Sequence, residues 1–169
     1  EAAKLTSQGG QESDENSPAR VVLKEGKVYD QQGQLQSETI RDSEGNLVQA
    51  TYEGKRIAGI ISEDKDGNRE WKKFDAANQV IESGSSKMAM ERGRSYVASE
   101  NVIRGGTSTS RSFYSNGNIK TLMVQTVDKD GKVGELLRYR EYNQDGKLVV
   151  NRSGKKSQKA GEQPTSAAT

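Results

Sequence analysis

Asp64, Asp66 and Asn68 place oxygen donors at the first, third and fifth positions of a loop whose twelfth position is Asp75, the spacing of a calcium loop. Such a loop needs a glycine where Arg69 stands, a bidentate glutamate where Asp75 stands, and a helix on either side. The second copy of the motif, Asp128-Lys129-Asp130-Gly131, continues with Lys132 and departs sooner. Both stretches read instead as hairpin turns, where Asp-Gly is favoured for backbone reasons.

The aromatics Tyr29, Tyr52, Trp71, Phe74, Tyr96, Phe113, Tyr114, Tyr139 and Tyr142 sit beside turns or inside strand-like runs. Aligned on an exposed face they would stack on sugars or peptides. Paired across strands they would cover the apolar face of a sheet, and the scarcity of other large side chains favours that reading. Two-residue alternation puts Arg138 and Arg140 on one face, with Tyr139 and Glu141 opposite. The two arginines form an anion-binding strip or, more simply, a solvent face balanced by Glu135, Glu141 and Asp145. Trp71, Tyr96, Arg138 and Arg140 are the binding-face candidates.

The chain has no histidine and no cysteine, which removes the usual general base, the Ser-His-Asp and Cys-His arrangements and thiol chemistry. No nucleophile elbow, phosphate loop or metal-ligand spacing appears. The expectation is a protein that is not an enzyme, with no catalytic residue and no cofactor. Basic and acidic residues number 26 and 24 and are interspersed, so long-range attraction to nucleic acid has little support. No apolar run approaches the roughly 18 residues that cross a bilayer.

Any binding surface must be positioned by the elements between these residues. Only 30% of the 169 residues are apolar, too few for a deep core but enough for a thin sheet that buries one face. Residues 1–19 are Ser, Gln, Glu and Gly rich and are expected to be disordered, as is the lysine-bearing tail 153–169. Between them, 20–152 alternates apolar and polar residues and is punctuated by glycines at 33, 45, 54, 67, 117, 131 and 146, with Asn78 in the same role. Asparagine is the next best residue for a left-handed position. One strand plus one turn fits each interval, and an antiparallel meander follows. Gly105-Gly106 marks a further hairpin. From 84 to 111 the rhythm blurs, and Lys87–Arg92 fits a short helix or a strand equally.

The units Val28-Tyr29-Asp30-Gln31-Gln32-Gly33-Gln34-Leu35, Thr51-Tyr52-Glu53-Gly54-Lys55-Arg56-Ile57-Ala58-Gly59 and Glu141-Tyr142-Asn143-Gln144-Asp145-Gly146-Lys147-Leu148 resemble MORN-variant repeats. Ile60 and Ile61 stand where that pattern has an aromatic after its second glycine. The resemblance covers roughly 28–82 and 113–150. It implies an all-β fold, an extended and curved antiparallel sheet of hairpin repeats, serving as a binding surface in bacterial envelope or antitoxin-like proteins. It carries over no catalytic residue.

The leading expectation is therefore a non-catalytic envelope or secreted protein that binds another protein. The alternatives are an antitoxin or immunity-type protein and a carbohydrate-binding module or hydrolase. The chain opens at Glu1, which fits a removed signal peptide and a periplasmic, outer-membrane-associated or secreted location, the alternative being cytoplasmic. A single layer also leaves its edge strands open to a partner's strand or to a second copy.

Overall fold

The computed structural model describes residues 20–154. The eleven strands are β1 (Gly26–Tyr29), β2 (Leu35–Arg41), β3 (Leu47–Glu53), β4 (Arg56–Glu63), β5 (Arg69–Phe74), β6 (Val80–Glu91), β7 (Arg94–Arg104), β8 (Thr107–Phe113), β9 (Ile119–Val127), β10 (Val133–Tyr142) and β11 (Leu148–Ser153). They form one antiparallel sheet in sequence order, with β1 and β11 as its two edges. Every strand thus pairs only with its chain neighbours. The expected all-β meander is what the chain adopts. The expected disorder of 1–19 and of the tail lies outside the described residues, apart from Ser153, which closes β11, and Gly154, whose N–H bonds to the Leu137 carbonyl at 3.0 Å.

The turns explain the recurring cassette. At Asp30, the N–H of Gly33 donates to the Asp30 carbonyl and the N–H of Asp30 donates to the Gln34 carbonyl. The Asp30 carboxylate accepts the N–H groups of Gln32 and Gln34. The same arrangement recurs at Asp42, Asp64, Asp75, Asp128 and Asn143. An oxygen-bearing side chain at the first position satisfies two backbone donors that the tight turn strands. The fourth position needs a left-handed backbone, which Asn78 adopts at φ 59° where the others have glycine. Asn78→Ala is expected to cost about 1 kcal/mol, since a Cβ without the local hydrogen bonding of asparagine is strained there, while Asn78→Gly is neutral or stabilising. Urea midpoints of the two variants check the contrast.

The blurred region resolves as strand. β6 and β7 form the longest hairpin, turning at Arg92-Gly93 with both residues at positive φ, and Lys87–Arg92 is not helical. Beyond Ser86 and Ser99 the two strands pair only with each other, so the hairpin tip projects past β5 and β8.

Paired residues share a face, and two faces follow from the register. The front face carries Ile61, Trp71, Gly84, Val102, Thr109, Val124 and Arg138 in one cross-strand row. The back face carries Ala50, Ile60, Lys72, Ser83, Ile103 and Ser108. The buried cluster of Val97, Phe113, Ile119, Leu122 and Tyr142 lies on the front face of the second half, with Met88 and Val124 packed against it. Val97 and Met88 come from the projecting hairpin tip, so the tip helps cover the core that β8–β10 could not close alone. On the first half of the same face, Arg20 reaches Glu63 at 3.5 Å and the Gly67 carbonyl at 2.6 Å, and Arg69 donates to the Val21 carbonyl. These contacts pin the segment before β1 to the front face, and Leu23 in it is buried.

Candidate functional site: an uncovered apolar row on the back face

One feature repeats along the sheet next to the turns. An aromatic at a strand end faces an aliphatic on the next strand: Tyr29 and Leu35, Tyr52 and Ile57, Phe74 and Val80, Phe113 and Ile119, Tyr142 and Leu148. Beside each pair one extra residue is bulged out, respectively Gln36, Ala58, Ile81, Lys120 and Val149. Alternation from Thr51 and Lys73, both on the front face, directs Tyr52 and Phe74 to the back. The same count from Arg111 and Arg140 directs Phe113 and Tyr142 to the front. The apolar row therefore changes both face and sheet end at the β6–β7 hairpin.

The two halves of the row differ in burial. Phe113 and Tyr142 are 4% and 5% exposed, whereas Tyr29 and Val80 are 56% and 52% exposed, with Ile57 also exposed. Tyr52, Phe74 and Leu35 are half-buried. Aromatics on every second strand stand roughly 10 Å apart, with an aliphatic between each pair. Among the described residues this back-face row has no counterpart of the hairpin tip over it.

Next to the row the back face carries serines and an asparagine between two isoleucines and charged side chains. A shallow depression of about 410 Å³ is lined by Ile60, Ser62, Lys72, Ser83, Asn101 and Ile103 among others. Asn101 donates to the hydroxyls of Ser108 and Ser110 at 2.8 Å each, tying β7 to β8 there, and Glu70 and Lys72 are the charged side chains of the lining.

The front face is occupied by charge. Glu63 opposes Arg69 and Glu100 opposes Arg111 in one cross-strand row, and both pairs are ion-paired and largely shielded from solvent. Burial pushes the Glu100 carboxyl above the ordinary carboxylate range, Arg111 opposes that shift, and Glu82 adds to it. These side chains have partners within the sheet, and that face is partly covered by the segment at Arg20.

The four residues singled out from sequence do not converge. Trp71 lies on the front face against Gly84, its indole N–H 3.2 Å from Glu82 Oε2. Arg138 and Arg140 share the front face as alternation predicted, Arg138 exposed and Arg140 half-buried beside Leu122 in the register. Trp71 and Arg138 occupy one cross-strand row five strands apart, roughly 24 Å. Tyr96 projects from the opposite face of the hairpin tip, paired with Ala89, in a depression with Arg92, Arg94 and Asn116. The row at Tyr29, Tyr52 and Phe74 was visible in sequence as a repeated aromatic, but its exposure was not.

The calcium-like loop is a turn. Asp64 accepts from the N–H groups of Asp66 and Asn68 and from the Asn68 side-chain amide at 3.0 Å. That amide chiefly holds the Asp64 carboxyl below its ordinary range. Among the described residues no cluster of carboxylates is placed to hold a metal ion.

Comparison with protein-family models and with curated proteins finds no match to this chain.

Proposed function

We propose that this chain is a non-catalytic protein-binding module of the bacterial envelope or of secreted proteins, and that its partner packs on the back face of the first half. The observation that carries the reading is the row Tyr29, Leu35, Tyr52, Ile57, Phe74, Val80, which stays partly open to solvent while Phe113, Ile119 and Tyr142 in the second half are buried and only Leu148 of that half is exposed. A shallow surface of apolar side chains beside an open depression suits another protein better than a small molecule, which calls for an enclosing cleft. The near-balanced net charge of +2 gives no pull toward nucleic acid. The envelope placement rests on the resemblance to MORN-variant repeats.

The test is capture of a partner on the full chain, identified by mass spectrometry and then confirmed with the purified partner. The double variant Tyr29→Ser, Val80→Ser alters exposed positions, so its circular dichroism should match the parent. Its affinity for the purified partner should drop at least tenfold, from the loss of two apolar contacts. Undiminished binding by the double variant would remove the back face from the reading. Binding of glycan fragments in place of protein, read from tyrosine and Trp71 fluorescence, would replace it with the carbohydrate alternative.

A further inference from the structure

We infer that the acidic stretch Glu12-Ser13-Asp14-Glu15 of the chain's own N-terminal segment docks on the front face of the second half, against the arginines of β8–β10. That face lies opposite the proposed partner surface, so each of the two readings stands without the other.

The front face holds an excess of positive charge that the near-balanced chain hides. The row of Glu63 continues by direct pairing through Arg69, Glu100 and Arg111 to Arg140. The row of Trp71 ends at Arg138, and that of Lys73 runs through Glu82 to Arg104. Together these rows carry six cations against three carboxylates. The excess sits in the second half, where the rows on β8–β10 hold Arg111, Arg138 and Arg140 and no carboxylate. Glu141 of β10 is on the back face, where it accepts the Tyr139 hydroxyl.

The chain enters this face at Arg20 with its heading already set. From Gly26 on the β1 edge back to Val21, it crosses to β5, where Arg69 donates to the Val21 carbonyl. Leu23 is buried on the way. The Arg20 side chain goes on to Glu63, the Gly67 carbonyl and Met88 Sδ of β6. The segment therefore runs across the strands and not along them. Strands stand about 4.8 Å apart, which puts β9 and β10 about 19 and 24 Å beyond β5. At about 3.3 Å per extended residue, these distances are about six and seven residues upstream of Val21. The residues at those positions are Glu15 and Asp14. Pro18 supports the extended course, because proline holds the residue before it out of the helical region.

Charge and tethering select this occupant over others. Residues 11–19, which lie outside the described residues, hold Glu12, Asp14 and Glu15 and no lysine or arginine. Exposed ion pairs are individually weak. A segment joined to the face by a few residues acts at an effective concentration of roughly millimolar, which a separate acidic peptide would have to match. The front face is then closed by the chain itself, and the back face is left for another protein.

The test uses the full chain with a nitroxide on Ser13→Cys, a unique thiol because the chain has no cysteine. At low salt the methyl signals of Leu122 and Val124 should broaden. Those of Met123 and Leu136, on the back of β9 and β10, should broaden much less. About 1 M salt, which screens charges beyond about 3 Å, should abolish the difference. Asp14→Lys combined with Glu15→Lys should do the same without touching the sheet. Arg138→Glu, at an exposed position, should at least halve the front-face broadening with unchanged circular dichroism. Absence of front-face broadening at low salt would overturn the docking. Broadening that survives salt and both variants would overturn its electrostatic basis, and broadening that fades on dilution would replace the chain's own segment with that of a second copy.

Discussion

Phe113→Ala is expected to lower stability by about 3–5 kcal/mol, the range for truncating a buried aromatic. Phe113 is 4% exposed and sits with Val97, Ile119, Leu122 and Tyr142 in the one compact cluster among the described residues. Domains hold a margin of only about 5–15 kcal/mol, so this single truncation removes a large share of it. The equivalent change in the first half, Tyr29→Ala, is expected to cost within about 0.5 kcal/mol, as for other exposed positions. Both residues occupy the same place in their cassettes, so the contrast tests the change of face at β6–β7 rather than residue type. Urea unfolding followed by circular dichroism measures both. Comparable losses would mean that the first-half row is packed as tightly as the second, and the proposed partner surface would lose its basis.

The turns were legible because their chemistry is local. A carboxylate or amide at Asp30, Asp64 or Asn143 caps backbone donors two and four residues on, and a glycine follows at a fixed offset, so five residues suffice to recognise the motif. Asn78 was readable for the same reason. The β6–β7 hairpin was opaque because its turn places Arg92 in a left-handed position, a residue type that does not announce one, and because Lys87–Arg92 lacks clear alternation. Here the pairing with residues 94–99 decides the conformation, and pairing is not encoded within the window.

The site was less legible than the fold. Which face a strand residue takes depends on alternation, and each bulge breaks the count by one. Ala58, Ile81 and Lys120 carry no mark that distinguishes a bulged residue from a paired one. Arg138 and Arg140 came out together because the stretch from Arg138 to Glu141 pairs with β9 without interruption. The seat of Trp71 was not legible either, because its opposite neighbour Gly84, against which the indole lies, is distant in sequence.

That pair supports the second large prediction. A Cβ on Gly84 would stand 2.2 Å from Trp71 Cζ2 and 2.3 Å from Cε2, so the indole lies where any side chain at 84 would begin. Gly84→Ala therefore forces the ring off its seat, at about 1–3 kcal/mol for overpacking. The indole N–H leaves Glu82, whose carboxylate also pairs with Lys73 at 3.1 Å. Trp71 emission should shift to the red as the ring gains water. The sign depends on the ring alone. With Trp71→Ala already made, the clash is gone, and alanine outperforms glycine in a strand by roughly 0.5–1 kcal/mol. Gly84→Ala should then be neutral or stabilising, and the double-mutant cycle should return a coupling of about 2 kcal/mol. Additive effects in that cycle would place the indole elsewhere, free on the front face and available to a ligand after all.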